Sequence, residues 1–243
     1  MSATGAHGTI MTSKVIPHNF ENKDALAAGL ADDVAKRLQD KIDANGIATI
    51  AVSGGSTPKV FFAKLSKHDI DWDKVSVIMV DERYVPPGDD RSNEKLIRDN
   101  LLQGKATNAQ LISFWQDGQD INQAEATLDG VLKAYPNIDI TVLGMGMDGH
   151  TASFFPGGNN LEAATMMSCE SAIIQMEAEG AGEPRLTLTL PVIVNSSYLV
   201  LHIEGDGKRS VLDQALNAEL AEAPPIRTVI EALNGSINLY WAP

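Results

Sequence analysis

Three short, largely apolar runs each lead straight into a loop rich in glycine or charge: residues 47–52 into 53–58, 75–80 into 81–88, and 138–143 into 144–156. A strand that is apolar along nearly its whole length, rather than at alternate positions, is buried on both faces. Helical periodicity fills the spaces between these runs. Leu26, Leu30, Val34, Leu38 and Ile42 recur at every fourth position and stop at Asn45-Gly46. Residues 59–66, 92–102, 121–135 and 208–216 read as further helices, the second capped at its start, and residues 111–114, 185–190, 197–203 and 237–241 as further strands. Strands alternating with helices predict an α/β fold, a three-layer α/β/α sandwich around a mostly parallel sheet. In such sheets ligands bind beyond the carboxyl ends of the strands, so the three loops are expected to converge on one cleft.

At 243 residues the chain can bury a substantial core, and one α/β domain is expected over residues 15–243 behind a flexible tail of residues 1–14. The tail is small and polar and lacks the apolar stretch of a secretory signal. Cys169 is the one cysteine and can form no internal disulfide, and no apolar run is long enough to span a bilayer. The expected location is the cytoplasm, and the expected assembly a monomer or weak homodimer. A net charge of -13 would repel nucleic acid and anionic membranes, so neither is an expected partner. An acidic chain that binds an anion must also gather its few cations in one place. Each Arg or Lys beside a glycine-rich loop is therefore informative. Residues 177–184, rich in glycine and glutamate, read as a flexible loop near the cleft.

Ser53, Gly54, Gly55, Ser56 and Thr57 suit an anion cradle, because paired glycines let backbone N–H groups approach a phosphate and the next helix adds its positive end. The other reading is a turn, with Thr57 as N-cap and Pro58 in the first helical position, although two glycines and the hydroxyls exceed what that turn requires. A P-loop is excluded because the Gly-Lys-Ser/Thr ending is missing. Asp81, Glu82 and Arg83 directly follow a buried strand, which predicts three charges at the rim of the cleft or a solvated loop. Arg83 is the member suited to a two-pronged hydrogen bond with phosphate or carboxylate. Arg185 at a strand start and Lys208 at a helix start after Gly205-Asp206-Gly207 are further cations at rim positions, or simply solvated.

Gly144, Gly146 and Gly149 match the dinucleotide fingerprint formally. Asp148 would aim a carboxylate where pyrophosphate sits, and residues 151–158 do not form a long apolar helix, so that reading is rejected. The same loop offers Asp148 and His150, a histidine among glycines beside a carboxylate, which is the pattern of a general base. His7 lies in the tail, and His18, His68 and His202 have no comparable surroundings in sequence. One candidate histidine, one isolated cysteine and no His-x-x-x-His spacing argue against a metal centre, and Gly-x-Ser-x-Gly is absent. Water is then the natural nucleophile.

Taken together, residues 53–58, Asp81-Glu-Arg-Tyr-Val-Pro86 with Ser92-Asn93, residues 144–157 and Arg185-Leu-Thr-Leu-Thr189 resemble the 6-phosphogluconolactonase family from about Ile47 to Lys208. The segment Asp148-Gly-His-Thr-Ala-Ser153 is the most specific part. The resemblance implies cofactor-free hydrolysis of a phosphorylated sugar lactone in the oxidative pentose phosphate pathway. It also implies a Rossmann-like sandwich shared with glucosamine-6-phosphate deaminases and ribose-5-phosphate isomerases. On that reading His150, oriented by Asp148, activates water, while backbone N–H groups or Arg83 stabilise the oxyanion. The 53–57 loop, Asp81, Arg185 and Lys208 hold the substrate and its phosphate. The deaminases carry Asn-Glu-Pro-Gly after the equivalent loop, where this chain has Phe154-Phe155-Pro156-Gly157 without a carboxylate. A phosphosugar isomerase or deaminase and a non-catalytic sugar-phosphate sensor are the alternatives.

Overall fold

A computed structural model describes residues 14–243. The tail expected over residues 1–14 lies outside the described residues except for Lys14, whose ammonium donates to the carbonyls of Glu231 (2.7 Å) and Leu233 (2.8 Å). The strands are β1 (Val15–Asn19), β2 (Ala48–Val52), β3 (Val75–Met79), β4 (Asp81–Arg83) and β5 (Gln110–Ile112), then β6 (Ile140–Leu143), β7 (Ile173–Met176), β8 (Arg185–Leu188), β9 (Tyr198–Glu204) and β10 (Ile237–Ala242). The helices are α1 (Lys23–Asn45), α2 (Lys59–Leu65), α3 (Asn93–Asn100) and α4 (Ile121–Leu132), then α5 (Leu161–Thr165), α6 (Leu190–Val194), α7 (Asp206–Asn217) and α8 (Pro225–Ala232).

Seven strands form a parallel sheet in the order β1-β10-β9-β6-β2-β3-β5, with helices on both of its faces, as the alternating pattern predicts. The helix α1 shows how local sequence sets the frame. The Asn22 side chain accepts from the Ala25 N–H at 2.9 Å to start it. Gly46, at φ 82°, ends it by donating to the Ile42 carbonyl at 2.7 Å, a conformation that glycine adopts without strain. Between these caps Leu26, Leu30, Val34, Leu38 and Ile42 are buried in the core.

From β2 the chain winds to β3 and β5 on one side, whereas from β6 it winds to β9 and β10 on the other. The winding direction therefore reverses between β2 and β6, and ligands of parallel α/β sheets bind at that crevice. The loops leaving the two strands are tied together there: the Ser53 N–H donates to the Val142 carbonyl (3.0 Å) and the Gly144 N–H to Ser53 Oγ (3.2 Å).

Two expectations need correction. Of the run 185–190, residues 185–188 form a strand, β8, but in a second, antiparallel sheet of order β4-β8-β7, and Leu190 already begins α6. Leu186, Thr187 and Leu188 are all buried, so β8 has the composition of a central parallel strand without being one. The loop expected over 81–88 instead begins with β4, which follows β3 after one residue. That residue, Val80, donates to the Val52 carbonyl in the large sheet and accepts from the Leu188 N–H in the small one, both at 2.9 Å. Successive strand residues face opposite ways. Asp81 and Arg83 thus face the crevice, while Glu82 is turned away from it, 2% exposed, into the start of α3. The expectation of three charges at the rim is wrong for Glu82.

Candidate active site

One pocket at the β2/β6 crevice is lined by Ser53, Gly54, Gly55, Ser56 and Thr57, by Asp81 and Arg83, by His150, and by Arg185 and Lys208. The three loops converge as the topology requires. Asp148 stands behind His150 rather than in the pocket wall.

After β6 the chain folds back tightly: the Gly149 N–H donates to the Gly146 carbonyl (3.1 Å) and the Gly146 N–H to the His150 carbonyl (2.9 Å). A Cβ on Gly146 would run into the His150 ring and the Asp148 carboxylate, so only glycine fits beneath this pair. Asp148 Oδ1 accepts from the His150 N–H at 3.2 Å and lies 2.5 Å from His150 Nδ1. An ionised carboxylate can only accept, so Nδ1 carries the proton, and in the neutral ring Nε2 is the nitrogen with the free lone pair. Partial burial works to raise the Asp148 pKa, but the His150 backbone and ring hydrogen bonds outweigh it and hold the carboxyl below its ordinary value. The Phe155 ring packs on the imidazole, centroids 4.6 Å apart.

The residues after His150 are pinned. The Thr151 hydroxyl donates to the Gly144 carbonyl at 2.7 Å and the buried Ser153 hydroxyl to Asp81 Oδ2 at 2.6 Å. Between these pins Ala152 sits at φ 52°, a left-handed conformation that residues with a side chain adopt at a cost. The strain holds because both neighbours are fixed, and it lies next to the imidazole. The loop is not followed by a long helix, in accord with rejecting a dinucleotide.

Asp81 is 6% exposed and faces Arg185, with 3.6 Å between Oδ2 and Nη1. Arg185 also donates through Nη2 to the Ala181 carbonyl (2.9 Å) and places its guanidinium 4.9 Å from the Phe155 centroid. Its Nε is buried without a hydrogen-bond partner among the described residues. Burial lowers the Arg185 pKa, with the Asp81 carboxylate working against that shift. Residues 177–184 form the β7–β8 hairpin loop, tied to the site by this Arg185–Ala181 bond. Arg83 is half-buried and donates through Nη1 to the Arg91 carbonyl at 2.6 Å.

Opposite in sequence but adjacent in space, α2 begins at Lys59 after Pro58, with no side-chain cap. Thr57 is therefore not an N-cap; its Oγ1 lies 3.4 Å from Lys208 Nζ. Burial pushes the Lys208 pKa down, partly offset by Glu204. Gly54 lies against Asn93, which starts α3 and donates to the Asp81 carbonyl at 2.8 Å. A Cβ on Gly54 would overlap the Asn93 side chain, which is 4% exposed and held in place. Gly54→Ala is expected to raise KM by about tenfold or more through 1–3 kcal/mol of overpacking, checked by steady-state kinetics beside a thermal melt that shows an intact fold.

Asn93, Thr151 and Ser153 stand within motifs that the sequence reading singles out but are given no individual role there, and His202 is missed. Asn93 is hidden by the helix-capping role of its neighbour Ser92, and Thr151 and Ser153 by their ordinary composition. His202 is hidden in an apolar strand, yet it is part of the pocket wall. Its one signal is its position near the carboxyl end of β9. Among the described residues no group of three or more His, Cys, Asp or Glu side chains is placed to hold a metal ion, and no helix is long and apolar enough to cross a membrane.

Fold and pocket together define the class: a Rossmann-like α/β enzyme with a polar, cation-bearing site at the switch point of a parallel sheet. The chain matches the family described as glucosamine-6-phosphate isomerases/6-phosphogluconolactonase over residues 21–241. It is 50% identical to a 6-phosphogluconolactonase of Rhizobium meliloti, over 93% of this chain and 98% of that protein. It is 44% identical to one of Mesorhizobium japonicum, over 92% and 94% respectively. The crystal structure of a 6-phosphogluconolactonase from Shewanella baltica superposes with a TM-score of 0.89 at 36% identity, covering 94% of this chain and 98% of that one. The chain belongs to the glucosamine-6-phosphate isomerase/6-phosphogluconolactonase family, and the match extends beyond the 47–208 span on both sides.

Proposed function

We propose that this enzyme hydrolyses 6-phosphoglucono-δ-lactone to 6-phosphogluconate in the oxidative pentose phosphate pathway, with His150 as general base toward water. The observation that carries the reading is the 2.5 Å contact between Asp148 and His150 Nδ1, which leaves Nε2 of a pocket-lining imidazole as a proton acceptor. The names and high identity of the relatives support the substrate. The cradle from Ser53 to Thr57 with Lys208 takes the phosphate and fixes the lactone carbonyl near His150, so that binding energy remote from the reaction positions the reacting carbon.

His150 removes a proton from water as its oxygen bonds to the lactone carbonyl carbon. Backbone N–H groups or Arg83 stabilise the tetrahedral oxyanion, and the proton passes to the ring oxygen as the ring C–O bond breaks. Asp81 acts through Arg185, whose guanidinium lines the pocket and is available to the substrate. Residues 154–157 favour hydrolysis over deamination: Phe154 and Phe155 are buried aromatic groups where ring opening and deamination would use a carboxylate. An acidic chain with one cysteine and no spanning helix among its described residues fits a cytoplasmic location.

Incubation with freshly generated lactone, following acid release above the spontaneous rate, tests this reading. Ammonia release from glucosamine 6-phosphate in place of lactone turnover would overturn it, as would binding without turnover of either compound. Lys208→Ala is expected to raise KM for the phosphorylated lactone about 10- to 100-fold, the loss of one charge-assisted hydrogen bond, with kcat changed much less. Lysine binds phosphate only when charged, below its pKa. Because burial lowers that pKa, KM should climb toward alkaline pH earlier than for an ordinary lysine contact, and the climb should be absent in Lys208→Ala.

A further inference from the structure

His202 is 2% exposed, and neither ring nitrogen has a hydrogen-bond partner among the described residues. Burying an unpaired polar group costs about 1–3 kcal/mol, and proteins keep few of them. Its strand reads Tyr-Leu-Val-Leu-His-Ile-Glu, and a leucine at this position would avoid that penalty. The imidazole meets Phe61 of α2 edge-on, with centroids 6.2 Å apart. Its charged surroundings are few. Glu204, two residues on along β9, places Oε1 3.4 Å from Nε2, and Lys23 of α1 lies 3.6 Å from the other oxygen of that carboxylate. Lys208 of α7 lines the same pocket as His202, and Tyr240 stands beside it in register on β10.

A carboxylate just behind an anion pocket opposes the ligand unless positive charge stands between them. Lys23 meets one oxygen of that carboxylate and His202 the other, and of the two it is His202 that lines the pocket. With Nε2 turned to Glu204, Nδ1 is the nitrogen left for a ligand, and it donates to an anion only when the ring carries both protons. A carboxylate on one side and a phosphate on the other both favour that form.

We propose that His202 belongs to the phosphate subsite, donating from Nδ1 to the substrate's phosphoryl group as an imidazolium braced at Nε2 by Glu204. The proposal rests on the phosphosugar reading above. The ring takes up one proton from solvent when phosphate binds and returns it on release. Both nitrogens are closed to water, so the ring turns toward the pocket for Nδ1 to reach a ligand that fills it down to this wall.

The test compares the wild type, His202→Leu and His202→Gln on 6-phosphoglucono-δ-lactone and on the unphosphorylated lactone. In His202→Leu, KM for the phosphorylated lactone should rise about tenfold or more with kcat within about twofold. The ratio of kcat/KM for phosphorylated over unphosphorylated lactone should fall by a similar factor, and His202→Gln, which retains a neutral donor, should recover part of it. A purely structural histidine would lower kcat/KM for both lactones together, and that result, or no change in either, overturns the proposal.

A second measurement does not depend on turnover or on a folded variant. In nitrogen-15 spectra of the wild type titrated with inorganic phosphate, the His202 ring signals should move to the imidazolium position as the site fills. A ring that stays neutral at saturation overturns the proposal. If the wild type hydrolyses neither lactone, the functional reading fails, while the phosphate titration still decides the role of His202.

Discussion

Replacing His150 with alanine is expected to lower kcat by about 10²- to 10⁴-fold while KM stays near the wild-type value, the size typical of losing a positioned general base. The split follows from the geometry. On the proposed reading the phosphate is held by Ser53 to Thr57 and Lys208, none of which hydrogen-bonds the imidazole, so binding survives while the proton acceptor is gone. Asp148→Asn should move kcat in the same direction. An amide can present N–H to Nδ1, which favours the tautomer with the proton on Nε2 and removes the free base. Since hydrogen bonds from His150 hold the Asp148 carboxyl below its ordinary range, it stays ionised as the pH falls toward 5. The acid limb of the pH–kcat profile therefore does not come from Asp148. A His150→Ala enzyme with unchanged kcat above the spontaneous background would falsify the assignment.

Glu82→Ala is expected to produce the largest loss of stability, about 3–5 kcal/mol, or a fall in Tm of roughly 10 °C for a chain of this size. The buried carboxylate accepts from the backbone N–H groups of Arg83 (2.7 Å), Asn93 (2.8 Å) and Glu94 (2.7 Å) and from the Ser92 hydroxyl (2.9 Å). It caps α3 from outside the helix, adding a negative charge where the helix end is positive. Alanine leaves several buried donors unpaired together. Glu82→Gln keeps one acceptor oxygen and should lose less. Because Asn93 props Gly54 and holds the Asp81 carbonyl, the damage should extend to the site as a raised KM. Urea and thermal unfolding give the stability change, and a variant that melts with the wild type would show that these hydrogen bonds are dispensable.

The fold was legible wherever an element was long or apolar throughout. The five-position repeat from Leu26 to Ile42 and the runs feeding the three loops suffice for a parallel sheet with helices on both faces, and the sheet order then brings the loops together. What escaped was structure whose signal is short or borrowed from elsewhere. The strand β1 contains Pro17, which reads against a strand and is tolerated here at the sheet edge. The strand β7 has four residues in a polar stretch and takes its meaning from β8, distant partners that a local pattern does not reveal. In the site, residues with unusual local chemistry stood out: Asp148 and His150 among glycines, Arg83 after a buried strand. Asn93 and Ser153 are bound to Asp81, distant in the chain, and His202 reaches the pocket only through the sheet, so their places in the site exist only once the chain is folded.

Val80, the lone residue between the two sheets, carries a further consequence. It hydrogen-bonds into both, so the wall that bears Arg185 and the wall that bears the cradle share one continuous backbone ladder. Drawing these two walls apart at Val80 would break both hydrogen bonds, so the spacing between Arg185 and the cradle is set there by the backbone itself.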